Sequence, residues 1–174
     1  MPSCLFVTLH SAKSGNFKET SHVLKEIFER IASETESYLL LKGLSTKVNL
    51  GEAGAAHAGN RVYIAMQEYG VDPILRNRNP LVDDDSLRSP NYSHLISFFI
   101  LPGSHDYEIR LQLIENIVEL FEVKPFFKLV INDEEYELSI SMKTATTADY
   151  QQFWLARQQP SQPVIFYQAR VSSL

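Results

Sequence analysis

The 174-residue chain has a single cysteine, Cys4, so it forms no disulfide within itself, and a lone thiol fits a reducing compartment. It has no basic excess. Sixteen Lys and Arg against 21 Asp and Glu give a formal charge of −5, which argues against a dedicated nucleic-acid binder, since few cations are present to displace counterions. No apolar run approaches the ~18 residues that a bilayer crossing needs, so no membrane span is expected. The opening M-P-S-C-L-F-V-T-L-H has no basic region ahead of its apolar part and is not expected to act as a secretory signal. Glycine is scarce, and only residues 51–60, G-E-A-G-A-A-H-A-G-N, are rich in it. No Lys-Ser/Thr follows that stretch and no strong strand leads into it, so it reads as a connection rather than a phosphate cradle.

Chemistry-bearing patterns are equally sparse. His10, His22, His57, His94 and His105 show no ligand spacing, and the lone cysteine removes thiolate zinc sites. Asp83, Asp84 and Asp85 are adjacent rather than alternate and lack a distal Glu, so they read as a solvated or partner-facing charge cluster instead of a calcium loop. No G-x-S-x-G, Walker or dinucleotide motif occurs. Neither a cofactor nor an enzymatic activity is expected. Tyr150, Phe153 and Trp154 lack the basic frame of a base-stacking platform and read as core, and His94 reads as a strand histidine rather than a base.

What the chain does contain is a strongly patterned middle. N-Y-S-H-L-I-S-F-F-I-L predicts a strand with Leu95, Phe99 and Leu101 on one face and Ile96, Phe98 and Ile100 on the other. A strand apolar on both sides belongs inside a sheet that is covered on both sides. Pro102-Gly103 is expected to stop it, and Ser104 or Asp106 to cap the next helix. In that helix Leu113, Ile114, Ile117, Val118, Leu120 and Phe121 form a stripe wide enough to meet the sheet and a second surface, from this chain or another.

Flanking elements follow. Cys4 to Leu9 predicts a short strand apolar on both faces. A helix is expected from Thr20, capped by Thr20 or Ser21, with Val23, Leu24, Ile27, Phe28 and Ile31 on one face and a stop at Gly43. Thr46–Leu50 and Arg61–Tyr69 predict strands. Phe126–Ile131 and Glu135–Met142 predict a hairpin turning at Asn132-Asp133. Within it Leu138, Ile140 and Met142 oppose Glu137, Ser139 and Ser141, so one face meets water or a partner. Ala148–Gln158 predicts a helix capped by Thr147 and ended by Pro160 and Pro163, and Val164–Val171 a final strand. The expected fold is a mixed α/β (α+β) domain spanning 1–174, with a partly antiparallel sheet flanked by an N-terminal and a central amphipathic helix. The arm at 71–90 lacks periodicity and offers no core of its own. Such segments inside compact domains tend to be functional or disordered.

Several of these features, in order, resemble the domain at the start of tube-terminator (cap) proteins of extracellular contractile injection systems, which are phage-tail-like particles. The likeness runs from about Ser21 to Val171. It rests on H-V-L-K-E-I-F-E-R-I, R-V-Y-I-A-M-Q-E-Y, the Arg76-Asn77-Arg78-Asn79-Pro80 loop, the N-Y-S-H-L-I-S-F-F-I-L strand and the Y-E-I-R-L-Q-L-I-E-N-I-V-E-L-F helix. Its most specific part is F-W-L-A-R-Q-Q-P-S-Q-P-V-I-F-Y-Q-A-R-V, similar to the family's L-W-x-x-L-x-x-x-x-x-P-S-x-x-Y-x-x-R, with Trp154, Pro163, Tyr167 and Arg170 in the matching positions. Members usually begin at the helix, whereas here a predicted strand precedes it.

The resemblance implies a structural role, closing the inner tube as a ring of about six copies and binding the last sheath layer. It implies assembly in the bacterial cytoplasm and then residence in the particle, a phage tail terminator being an architecture of the same kind. Ring contacts need two different patches on each subunit, and the wide helix and the arm are the candidates. In the arm these are Arg76, Asn77, Arg78, Asp83, Asp84, Asp85 and Arg88. Arg76 and Arg78 are expected to pair with a neighbour's Asp83 to Asp85, so that reversing both arginines would break the oligomer in light scattering, an intact oligomer refuting the pairing. A monomeric or dimeric domain binding a small molecule or peptide is the alternative.

Overall fold

Residues His94–Gly103 form β3, whose side chains alternate between two cores as the sequence predicts. The computed structural model describes residues 16–51, 59–71, 94–157 and 162–173. Within these, α1 (Asn16–Leu41) leads to β1 (Lys47–Leu50), β2 (Arg61–Val71) and β3. Then come α2 (Tyr107–Val123), β4 (Phe126–Ile131), β5 (Glu134–Met142), α3 (Thr147–Arg157) and β6 (Ile165–Ser173). The six strands make one sheet in the order β1-β2-β3-β6-β5-β4, parallel between β1 and β2 and antiparallel elsewhere. The mixed α+β class expected from the sequence is therefore what the chain adopts. The predicted Cys4–Leu9 strand lies outside the described residues.

Ile96, Phe98 and Ile100 pack with Val62, Ile64 and Tyr167 under α1 and α2. Phe99 and Leu101 pack on the opposite face with Phe166 beneath Phe153 and Trp154 of α3. The stripe on α2 buries Leu113, Ile117, Leu120 and Phe121, and its second surface is α1 of the same chain. Lys42 Nζ lies 2.8 Å from a Glu119 carboxylate oxygen and Lys124 Nζ 2.7 Å from Glu34, joining the two helices at solvent-exposed sites where such pairs contribute little.

Local chemistry explains the boundaries, including those that depart from expectation. Helix α1 starts at Asn16, so Thr20 and Ser21 lie within it and neither caps it. It ends as expected at Gly43, whose φ of +80° lets its amide donate to Leu40 O while Leu44 N–H reaches Leu39 O at 2.9 Å. Strand β3 runs on through Pro102 and Gly103, which pair with Val62 and Arg61. Pairing with β6 reaches only Ile100, so beyond that point β3 has a partner on one side, where proline is tolerated. Asp106 caps α2, accepting from Glu108 N–H at 2.8 Å. For α3 the capping residue is Thr146, not Thr147. Its Oγ1 accepts from Asp149 N–H while the Asp149 carboxylate accepts from Thr146 N–H, a reciprocal box. Asn132 and Asp133, both at positive φ, form the two-residue hairpin turn. Met142 departs from its strand pattern. It is exposed, while Leu138 and Ile140 are buried.

These placements set a stability order measurable by chemical denaturation. Phe98→Ala should cost about 3–5 kcal/mol. Asp106→Ala should cost about 1 kcal/mol, and Val130→Ala should stay within about 0.5 kcal/mol. A Phe98→Ala variant as stable as wild type would contradict the two-core arrangement.

Candidate interaction surfaces

Strands β2 and β3 end together. Val71 and His94 are Cα partners, so residues 72–93 leave and rejoin the sheet at adjacent points. The expected partner-binding residues Arg76, Asn77, Arg78, Asp83, Asp84, Asp85 and Arg88 all lie outside the described residues, and none is placed against another. At the root of the segment, Tyr69 and His94 stack with ring centroids 5.4 Å apart, and the Tyr69 hydroxyl lies 2.8 Å from His94 Nδ1. A neutral imidazole protonated on Nε2 accepts the phenol's hydrogen there. Partial burial holds the His94 pKa below its ordinary 6.5 and pushes the Tyr69 phenol up. The strand-histidine reading of His94 fits this geometry. The bulge between Met66 and Glu68 is what brings Tyr69 to the face of Ile96 and so beside His94.

The second surface is the far half of the α3 face. On β4 the side chains alternate, Phe127 and Ile131 into the core and Phe126 and Val130 out, at 59% and 69% exposure. Their outward face continues onto β5 through the pairs Phe126–Ser139 and Lys128–Glu137. Among the described residues β4 has β5 on one side and no strand on the other. The polar alternation of Glu137, Ser139 and Ser141 pointed to an open face on β5. What sequence reasoning missed is that β4, with F-F-K-L-V-I, is the outermost strand and shows aromatic and aliphatic side chains to solvent.

A groove of about 310 Å³ lies beside α3, lined among others by Gln67, Lys143, Gln152, Arg157 and Phe166. Two of the ionisable groups there, Asp149 and Arg157, already serve the fold. Asp149 caps α3, and the hydrogen bonds from Thr146 hold its carboxyl below the usual range. The Arg157 guanidinium lies 3.8 Å from the Phe153 ring centroid and 4.8 Å from that of Phe99. Phe153 and Trp154 are buried, as core residues should be, while Tyr150 is partly exposed and packs edge-on against Phe166. Among the described residues no group of three or more His, Cys, Asp or Glu is placed to hold a metal ion, and no helix is long and apolar enough to cross a membrane.

This arrangement defines the class, an α+β domain with two helices on one face of a mixed six-stranded sheet and a short helix on part of the other. A solved structure of the same fold is the sheath/tube terminator of an extracellular contractile injection system, PVC, in its extended state. The two superpose with a TM-score of 0.58 at 12% identity, over 86% of this chain and 56% of that one. The chain thus spans little more than half of that neighbour's length. No family profile and no curated protein matches the sequence. Of the residues matched to the terminator pattern, Trp154 and Tyr167 are buried in opposite cores, Pro163 is exposed just before β6, and Arg170 lies on the open face opposite Ser139.

The Tyr69–His94 contact carries a pH dependence. With its folded pKa lowered, His94 stays neutral in the fold while the unfolded chain takes up the proton. Its contribution is therefore complete above pH 6.5 and declines as pH falls from there toward the folded value. Between about pH 7.5 and about pH 5.5 the denaturation midpoint of the wild type should fall further than that of His94→Gln. Equal falls would show that the ring is not held neutral.

Proposed function

We propose that this chain is a structural assembly protein that closes the end of the inner tube and sheath of a contractile injection system as a ring, with about six copies in the ring by analogy with six-fold tubes. The observation that carries the reading is the fold shared with a sheath/tube terminator over 86% of the chain. The edge strand β4 supports it: among the described residues one of its sides has no partner, and an edge strand with exposed apolar side chains is a surface for pairing with other chains. A terminator works by matching the last tube layer on one side while presenting no template for the next on the other. Binding energy, not bond chemistry, is then the whole of its action. Its partners are further copies of itself, the inner-tube protein and the sheath protein. Its place is the bacterial cytoplasm during assembly and then the particle. A phage tail terminator would use the same surfaces in the same way. The groove beside α3 favours one other reading, a peptide-binding domain, in which the chain stays monomeric and leaves tubes alone.

Adding the purified chain to the polymerising inner-tube protein of its own system tests the proposal, with tube lengths measured by electron microscopy. Lengths should shorten as the ratio of this chain to tube protein rises, with the chain found at tube ends. A length distribution unchanged at excess would overturn the proposal.

A further inference from the structure

Strand β4, the outermost among the described residues, carries apolar side chains on both faces, with Lys128 exposed between Phe126 and Val130 on the outer one. Phe127 belongs to the larger core, Leu129 is half-buried against it and Ile131 is buried on the same side, while Phe126 and Val130 stand exposed on the other. At the opposite border β1 is only four residues long, and polar Lys47 and Asn49 interrupt its apolar side chains. Folded proteins blunt or cover an apolar edge, since its unpaired amides and carbonyls template further strands. A strand laid against β4 would set its own side chains beside apolar neighbours above and below, so it must be apolar on both faces too.

The chain itself carries such a segment. In C-L-F-V-T-L, residues 4–9, Cys4, Phe6 and Thr8 fall on one side and Leu5, Val7 and Leu9 on the other, a double-faced pattern matching that of the edge. Charge agrees as well. Residues 1–15 contain Lys13 and His10 and no acidic side chain, whereas the β4–β5 turn presents Asp133, Glu134 and Glu135. We propose that residues 4–9 of one copy add as a seventh strand to the β4 edge of the next copy. Donor and acceptor are then two different patches on each subunit, the head-to-tail relation that closes a ring. This deepens the ring reading above and rests on it.

Cys4 is the only thiol in the chain, so it serves as the probe. Phe126→Cys and Val130→Cys, both at exposed positions, each supply a second one. Each variant is treated with a short bismaleimide, alone and in the presence of tubes, and run on a denaturing gel. A ladder of covalent dimers and higher multiples should appear in at least one variant, and Cys4→Ser should abolish it. Three results would overturn the proposal: no multimers in either condition, an internally linked monomer (the strand added to its own edge), or multimers that persist with Cys4→Ser (one β4 edge facing another). If the ladder is absent while tube growth is still arrested, only the strand exchange falls. If tubes lengthen unchecked, the terminator reading falls whatever the gel shows.

Discussion

Two adjacent phenylalanines facing opposite ways hold this fold together. Phe98 meets Phe28 of α1 edge-on at 5.8 Å and stacks on Tyr167 of β6 at 5.6 Å. Phe99, one residue on, meets Phe153 of α3 at 4.9 Å. Both rings are almost fully buried, and each anchors a different layer to the same strand. Aromatic pairs of this kind add to the burial of their own large surfaces. Because β3 cannot leave either face wet, the helices on both sides are required rather than decorative. The same demand shapes the chain order, since α2 follows β3 directly and covers it, while α3 has to reach the other face before β6 closes the sheet beside it.

Unequal helix lengths turn that demand into exposed surface. Six strands at a spacing of about 4.8 Å span about 24 Å from edge to edge. Helix α1, with 26 residues, is about 39 Å long and can underlie all of them, but α3, with 11, is only about 16 Å. The smaller core therefore stops partway along the sheet. Beyond it β5 turns outward small and polar side chains, and β4 turns outward Phe126, Lys128 and Val130. Among the described residues the sheet is thus covered along its whole width on one face and along only part of it on the other.

Much of this was legible in the residues. Period-two alternation placed β3 and both its faces correctly because no other arrangement buries all of Ile96, Phe98, Phe99, Ile100 and Leu101. Asn132-Asp133 marked its turn for the same kind of local reason, both residues tolerating positive φ. Helix boundaries were read less well. A cap at Thr20 or Ser21 was plausible by residue type, yet the helix simply continues upstream, and Thr146 rather than Thr147 caps α3 because only it has Asp149 three residues on. The edge position of β4 was invisible, since strand order depends on long-range pairing that no local pattern encodes. Met142 follows the apolar alternation of β5 and still ends up exposed, at the last residue of its strand. The candidate residues in the 71–90 arm lie beyond what the structure describes, so the surfaces identified here come from the sheet instead.

The central proposal is that the sheet face left open among the described residues is covered by neighbouring subunits at the end of a tube. Cryo-electron microscopy of the intact particle from the source cell, at a resolution that locates this chain, tests it most directly. The account predicts a ring of this subunit on the terminal tube layer, with the outer face of β4 and β5 buried against an adjacent copy. A particle lacking the chain, or one in which Phe126 and Val130 face solvent, would contradict it.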